Sequence, residues 1–457
     1  MKINRFSIVL LIMVCNLMSA GCQSVSRGDL TPSPDGSVIA SIDGVVFDIM
    51  GPEPIHIYRG AYLRILRIKQ SREPGFTSMQ IADKSEYVNR HGGFYWSPDG
   101  RKVAFTTYPE PLGPEARRLW IIDIYAKPKK NLIAENVYSF RWVDDTHIVY
   151  VTQDGDVIQA TLLDDGIVSE EKTLFSVGHP VENLRGEYKY TVYCSRYEFD
   201  NPLSPHADYF VYGNGRDLTI VNLSASTIAK SFQLIGMPIQ FWWDDAGRDC
   251  VIGVEASDKW TYHYYLYQSE EGTLKKLSGD IKGKFSGESG ESGRVWASSG
   301  KQFMLKLKYK TWLFDTNSWC AVWMENEIKK IKDGDLSPLT MTPLPLEAEE
   351  RDKVTTENTP FRVDITPSPR KDLLLVHLLE GEWRTPKYPS TCYVLKIIPG
   401  PKGEISLDIL KKIESGRKES FLWMDFWVPE CIFWTADGRG LLFTNLWGDK
   451  FRFVSIP

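Results

Sequence analysis

The chain has 457 residues, with 54 Lys and Arg against 59 Asp and Glu and a formal net charge of −5. This mildly acidic balance argues against nucleic acid as a partner, because such binding needs a concentrated basic footprint. With 42% hydrophobic and 12% aromatic residues, the chain can bury a large core.

The first element is N-terminal. Lys2 and Arg5 precede an almost wholly apolar run from Phe6 to Met18. That run is too short for a ~30 Å hydrocarbon core, which takes about 20 residues to cross. A positive start, a short apolar run and the small residues Ser19-Ala20-Gly21 compose a signal peptide. Cys22 follows at once, and the string resembles the bacterial lipobox, with Ser19 where Leu is usual. The resemblance implies cleavage before Cys22 and lipid on its thiol. Residues 1–21 are then the signal peptide, residues 22–30 a lipidated tether and residues 31–457 the folded body. Each buried CH₂ contributes about 0.8 kcal/mol, so several acyl chains hold a protein firmly to a bilayer. A tether from Gln23 to Leu30 reaches at most about 29 Å, which keeps the body close to the membrane. The expected location is outside the cytoplasm, lipid-anchored to a bacterial cell membrane. In a Gram-negative host, Gln23 resembles the sorting signal for the outer membrane facing the periplasm.

Internal repeats organise the remainder. Ser33-Pro34-Asp35-Gly36 leads into Ser37–Ile42, and Trp96-Ser97-Pro98-Asp99-Gly100 into Lys102–Thr106. Looser copies start at Trp142, Leu203, Trp243, Trp296, Pro367 and Trp434, each followed by a short apolar run such as Ile148–Val151 or Leu373–Val376. Pro presets φ in such a turn, Asp bonds the backbone two residues on, and Gly accepts positive φ without steric cost. Each turn therefore joins two antiparallel strands. Third strands are expected over Leu119–Ile124, Asp217–Leu223, Tyr262–Tyr267, Thr391–Ile397 and Phe451–Ile456. Copies lie roughly 40 to 70 residues apart, enough for a four-stranded sheet and its loops, and small sheets repeated radially make a propeller. The expected fold is all-β: a β-propeller of eight four-stranded antiparallel blades, or seven if the first copy only completes the last sheet. Helical periodicity is scarce.

The Trp-Ser-Pro-Asp-Gly turn followed by an apolar strand resembles the WD-repeat-like propellers of the TolB type and the propeller domains of prolyl-oligopeptidase-class proteins. Residues 96–105 match this pattern closely, and residues 33–42 and 434–444 match it well. The copies together cover nearly all of residues 31–457. TolB-type propellers usually have six blades, so eight copies depart from the pattern.

Candidate functional residues follow from the repeats. Trp96, Trp142, Trp243, Trp296 and Trp434 share one repeat position. They could stack on a sugar, but equivalent positions in a radial array also fall in equivalent interfaces, and the expected role is packing between blades. Asp35, Asp99, Asp145 and Asp437 are expected to lock turns rather than act as acids. A hydrolase nucleophile elbow needs G-x-S-x-G, and the string Gly287–Gly293 lacks that spacing. His56, His91, His147, His179, His206, His263 and His377 form neither H-x-H nor H-E-x-x-H, so the sequence supports no zinc site. Asp154-Gly155-Asp156 and Asp164-Asp165-Gly166 are too short for calcium loops and read as hairpin turns. Cys194, Cys250, Cys320, Cys392 and Cys431 sit mostly in strand-like runs and read as buried free thiols. The segments Tyr108–Arg117, Ser278–Arg294 and Asp333–Phe361 read as long surface loops, where function would reside.

Two functional classes remain open. One is a non-enzymatic binding or scaffold module for a protein, peptide or glycan on a propeller face. The other is an envelope enzyme, such as a polysaccharide lyase, with its site in the central channel. The first is expected, with Cys22 as the lipidation site and with no catalytic residue, metal or cofactor.

Overall fold

Antiparallel pairing of consecutive strands dominates the computed structural model. It describes residues 22–27, 31–34, 37–49, 55–67, 75–82, 86–88, 94–109, 117–125, 129–178, 201–244, 246–257, 261–277, 281–282, 296–297, 302–307, 310–315, 319–332, 339, 342–343, 361–368, 372–380, 390–399, 405–414, 431–435, 438–444 and 451–456. These residues form eight sheets in chain order, each built from consecutive strands. The chain is a β-propeller.

Each sequence copy places its turn at the first hairpin of one sheet. In sheet 2, Phe94–Trp96 turns into Lys102–Pro109; in sheet 3, Val137–Trp142 into His147–Thr152; in sheet 5, Met237–Trp243 into Asp249–Glu255. The turn geometry recurs almost unchanged. Ser97 N donates to Lys102 O at 2.9 Å, and Gly100 N donates to Ser97 O at 2.9 Å. The same pair of bonds closes the turns at Ser204, Asp244 and Thr435. The fourth turn residue takes positive φ in all four: Gly100 at 69°, Ala207 at 53°, Gly247 at 67° and Gly438 at 65°. Glycine has no Cβ to clash there, which is why Gly recurs at that position.

The side chain that opens the turn is a second lock. Ser33, Ser97 and Ser204 Oγ accept the amides of Val38, Lys102 and Tyr209 at 3.1, 2.8 and 3.0 Å, and Asp244 Oδ1 accepts that of Asp249 at 3.0 Å. Ser and Asp are interchangeable because each offers one oxygen at the same reach.

Packing between sheets explains the apolar runs. A strand covered on both faces reads as continuous apolar sequence rather than alternation. In sheet 7, Leu374, Val376 and Leu378 face sheet 6 while Leu373 and Leu375 face sheet 8. In sheet 3, Ile148 and Tyr150 pack toward sheet 2, and Val149 and Val151 toward sheet 4. Equivalent clusters join sheets 1 and 2 and sheets 4 and 5. Burial fades toward the last strands: Val168–Ser176 and Thr227–Gln233 are largely exposed, whereas Asp249–Glu255 is almost wholly buried. The first strands therefore lie innermost and the last strands at the rim.

Several details differ from the sequence reading. Among the described residues the sheets hold three to five strands each. The first copy builds its own sheet with Ile55–Arg67 and Gly75–Ala82, which makes eight sheets among the described residues. Residues 22–27 of the expected tether form strand Cys22–Arg27 beside Val38–Ile49, because that twelve-residue strand leaves backbone to pair beyond Thr31–Pro32. The segment expected as a loop from Asp333 contributes strand Thr342–Pro343 to sheet 6 and the buried Leu339 to its core. A helix, Met324–Lys332, precedes it. Met324, Ile328 and Ile331 are buried on one face of that helix, an i, i+4, i+7 stripe too short to stand out among strands. No helix among the described residues is long and apolar enough to cross a membrane.

Asn201 pins three sheets. It is buried, its Nδ2 donates to Phe140 O at 3.0 Å, and its Oδ1 accepts from Ser139 Oγ at 2.7 Å and Leu203 N at 2.9 Å. Its own amide donates to Phe241 O of sheet 5 at 3.0 Å. Replacing Asn201 by Ala leaves these buried partners unpaired, and each such group costs about 1–3 kcal/mol. Asn201→Ala is expected to lower stability by about 3 kcal/mol. The measurement is a denaturant melt, with the midpoint moving at an unchanged slope.

Candidate functional site

The repeat tryptophans were the strongest binding candidates, and their surroundings decide between platform and wedge. Trp142, Trp243 and Trp434 are buried in the clusters between sheets 2 and 3, 4 and 5, and 7 and 8. Trp142 Nε1 donates to Tyr95 O of the preceding sheet at 3.1 Å. Trp243 stacks on Tyr209 of the preceding sheet with centroids 5.9 Å apart. Trp96 is half-buried against the cluster between sheets 1 and 2. These four are wedges between blades. The side chain of Trp296 lies outside the described residues.

The aspartates divide. Asp99 Oδ1 accepts Arg101 N at 3.0 Å and Ser97 Oγ at 2.6 Å, so it locks its own turn. Asp145 reaches instead to the neighbouring turn, accepting Asp99 N at 2.7 Å. The locking role expected of Asp145 belongs to Asp144, whose Oδ1 accepts Thr146 N at 2.7 Å and His147 N at 2.8 Å. The loose copy Trp142-Val143-Asp144-Asp145 offers two adjacent carboxylates, and sequence alone could not choose between them. Asp35 and Asp437 lie outside the described residues.

The histidines are dispersed. His56 lies in sheet 1, His147 in sheet 3, His206 in the first turn of sheet 4, His263 in sheet 5 and His377 in sheet 7. His147 Nδ1 sits 2.8 Å from Asp144 Oδ2 at the surface. His263 and His377 are buried. His91 and His179 lie outside the described residues. No group of three His, Cys, Asp or Glu side chains suited to a metal ion occurs among the described residues. Asp154–Asp156 and Asp164–Gly166 are hairpin turns, with Gly155 at φ 90° and Gly166 at φ 79°. Cys250 and Cys392 are buried and Cys320 is half-buried, none of the three in a disulfide. The Gly287–Gly293 string and Cys194 lie outside the described residues, as does the side chain of Cys431. Cys22 begins strand Cys22–Arg27, opposite Asp48.

Two features were not legible in the sequence. Gln240 is almost fully buried on the face of sheet 5 that bears Trp242, and its Nε2 has no hydrogen-bond partner among the described residues. A Cβ built at Gly253 would lie 2.9 Å from Gln240 Oε1, so glycine there makes room for the amide. The other feature is an acidic group at the first hairpin of sheet 5. Asp249 is buried, and its carboxyl is pushed up to about 7, foremost by burial and then by the charges of Asp244, Glu270 and Glu271. Glu270 is shared with Arg248 Nη1 at 2.9 Å. Only the pairing of two hairpin ends brings these four carboxylates together.

The comparisons with known proteins come to this. No protein-family model matches the chain, and no curated protein matches it in sequence. Among solved structures, a dihydro-heme d1 dehydrogenase, NirN, is 12% identical with a TM-score of 0.46, over 86% of this chain and 67% of that one. The Dos1 propeller is 10% identical with a TM-score of 0.44, over 95% and 93%. The β-propeller domain of the Trilobed protease from Pyrococcus furiosus is 13% identical with a TM-score of 0.36, over 80% and 95%. Similarity at this level bears on no function; the propeller assignment stands on the eight sheets of the chain itself.

Two predictions follow from this geometry. Trp142→Ala removes a wedge and a hydrogen bond, and a buried aromatic truncated to Ala costs about 3–5 kcal/mol; a denaturant melt checks it. For Asp249, an unfolded carboxylate titrates near 3.9, below its folded value of about 7. The folded state therefore holds the proton more tightly. That contribution is complete below about pH 4 and is lost as pH rises through 7. Asp249→Asn, which mimics the neutral acid, should be more stable than wild type by about 2 kcal/mol at pH 8 relative to pH 5. Paired melts at the two pH values measure it.

Proposed function

We propose that this protein is a cell-envelope lipoprotein whose propeller binds a protein, peptide or glycan, without chemistry of its own. The observation that carries the reading is the juncture at Cys22. A signal-peptide pattern ends in Ser19-Ala20-Gly21-Cys22, and Cys22 itself stands in strand Cys22–Arg27 of the first sheet. Lipid on Cys22 would tie the propeller directly to a bilayer, on the outer membrane facing the periplasm in a Gram-negative host.

The turn carboxylates Asp99 and Asp144, which could have served as acids, close turns instead. Eight sheets leave broad loop-bearing ends on the ring, where partners dock on propellers of any function. The Trp-Ser-Pro-Asp-Gly likeness to TolB-type propellers accords with this role.

The test is metabolic labelling with a clickable fatty-acid analogue. Wild type is expected to take up label and to fractionate with membranes, while Cys22→Ser stays unlabelled and uncleaved. Equal labelling of the two forms would refute the lipid anchor. Binding is then read by presenting the labelled protein to arrays of envelope glycans and peptides.

A further inference from the structure

Strand pairing fixes the end of the ring at which Cys22 stands. Sheet 1 opens with Cys22–Arg27, which pairs with Asp43–Asp48, and Thr31–Pro32, which pairs with Ile39–Ala40. The chain then turns at Ser33, whose amide donates to Val38 O at 2.8 Å, and runs back along Val38–Ile49. Cys22 lies opposite Asp48. From Val38 to Asp48 a strand rises roughly 30 Å, so Cys22 is that far along the sheet from its first turn.

The first turns of the sheets share one end of the ring. Neighbouring turns touch: Asp145 Oδ1 accepts Asp99 N at 2.7 Å, and a Cβ built at Gly247 would lie 3.4 Å from Ser204 Cβ. Val38 and Val103, each just after its turn, pack in one cluster between sheets 1 and 2. The third hairpins return to the same end, where Leu162 N donates to Thr146 O at 2.7 Å and Leu223 N to Asp208 O at 2.9 Å. Cys22 is at the opposite end.

No residue separates Cys22 from the paired strand. A lipidated cysteine on a flexible linker leaves its domain free to tumble, whereas all six residues from Cys22 to Arg27 are paired in register with Asp48 to Asp43. Opposed Cα atoms lie about 4.5–5.5 Å apart, so acyl chains entering a bilayer from Cys22 bring this end of sheet 1 to the headgroups. Charge supplies a second argument. At the first-turn end, the turns of sheets 3 and 4 expose Asp144, Asp145, Asp164, Asp165 and Asp208 and contain no Lys or Arg. An anionic bilayer repels such a surface within about a Debye length, roughly 8 Å. A ring resting on its first turns would press these carboxylates against the lipid; a ring resting on the Cys22 end holds them clear of it.

We infer that the anchored propeller stands on the bilayer by the end that holds Cys22 and presents its first-turn end to the aqueous phase, where a ligand meets it. The inference rests on the reading of Cys22 as the lipid anchor. It adds a fixed orientation, and it names the face left open to a partner as the end bearing the turns at Ser97, Asp144, Ser204 and Asp244.

The experiment uses the full chain acylated at Cys22, reconstituted into vesicles of phosphatidylethanolamine and phosphatidylglycerol that contain an energy-transfer acceptor lipid. A donor fluorophore is introduced as a non-natural amino acid at one of two exposed positions of sheet 4. Ala225 lies in the hairpin at the first-turn end, and Asn214 in the hairpin at the opposite end. Transfer is expected to be at least twofold stronger from Asn214. A Gly/Ser insert of about twenty residues after Cys22, a coil of roughly 25 Å, should erase the difference. Near-UV circular dichroism establishes that the labelled variants fold; if either does not, Asp154 and Asp164 of sheet 3 replace Asn214 and Ala225 with the same expectation. Equal transfer from the two positions, or stronger transfer from Ala225, overturns the inference. So does a difference that survives the insert, because the paired strand then does not set the orientation. Fatty-acid labelling separates the two readings. Label present with equal transfer sinks the orientation alone; label absent sinks the lipid anchor on which it rests.

Discussion

Sheets 2, 3, 4 and 7 of this propeller bury apolar residues on both faces, and no sheet can bury both faces by itself. That constraint governs the rest of the molecule. Leu373 to Val376 is a run of four buried residues whose side chains must find two different partners, sheet 6 on one side and sheet 8 on the other. The same holds for Ile148 to Val151 between sheets 2 and 4. The arrangement that satisfies such strands is an array in which each sheet is both covered and covering. Stability then accrues at the interfaces, where hydrophobic burial is proportional to the area removed from water.

The turns serve that packing. A first hairpin closed by Ser97 or Asp244 fixes the register of the two innermost strands, and a slip of one residue would exchange the two faces. Polar contacts also cross the interfaces, among them Trp142 to Tyr95, Asp145 to Asp99, and Asn201 to Phe140 and Phe241. Trp142 and Asn201 are buried, where an unpaired polar group is costly. These residues hold the angle between blades, while the outer strands are left to solvent.

Sheet 1 holds the longest hairpin among the described residues. Val38, Ala40, Leu63 and Ile65 of that hairpin lie in the core shared with sheet 2.

The sequence by itself determined the turns and the strands that follow them, because these depend on local chemistry, and left the number of blades open between eight and seven. Pro, Asp and Gly impose a turn at Trp96-Ser97-Pro98-Asp99-Gly100, and the apolar run after it has the length of one strand. The wedge role of the tryptophans was also legible, since a residue at one repeat position meets the same surroundings in each blade. Other features needed the tertiary structure. Asp144 and Asp145 are equivalent on paper, and only the approach of the Asp99 turn separates them. Asp249 reads as an ordinary strand residue until two hairpin ends set Asp244, Glu270 and Glu271 around it in a site shielded from water. Strand Cys22–Arg27 reads as a polar tether until the overlong Val38–Ile49 offers it a backbone to pair with. In each case the deciding partner is distant in sequence, and its approach is fixed by packing that no local pattern encodes.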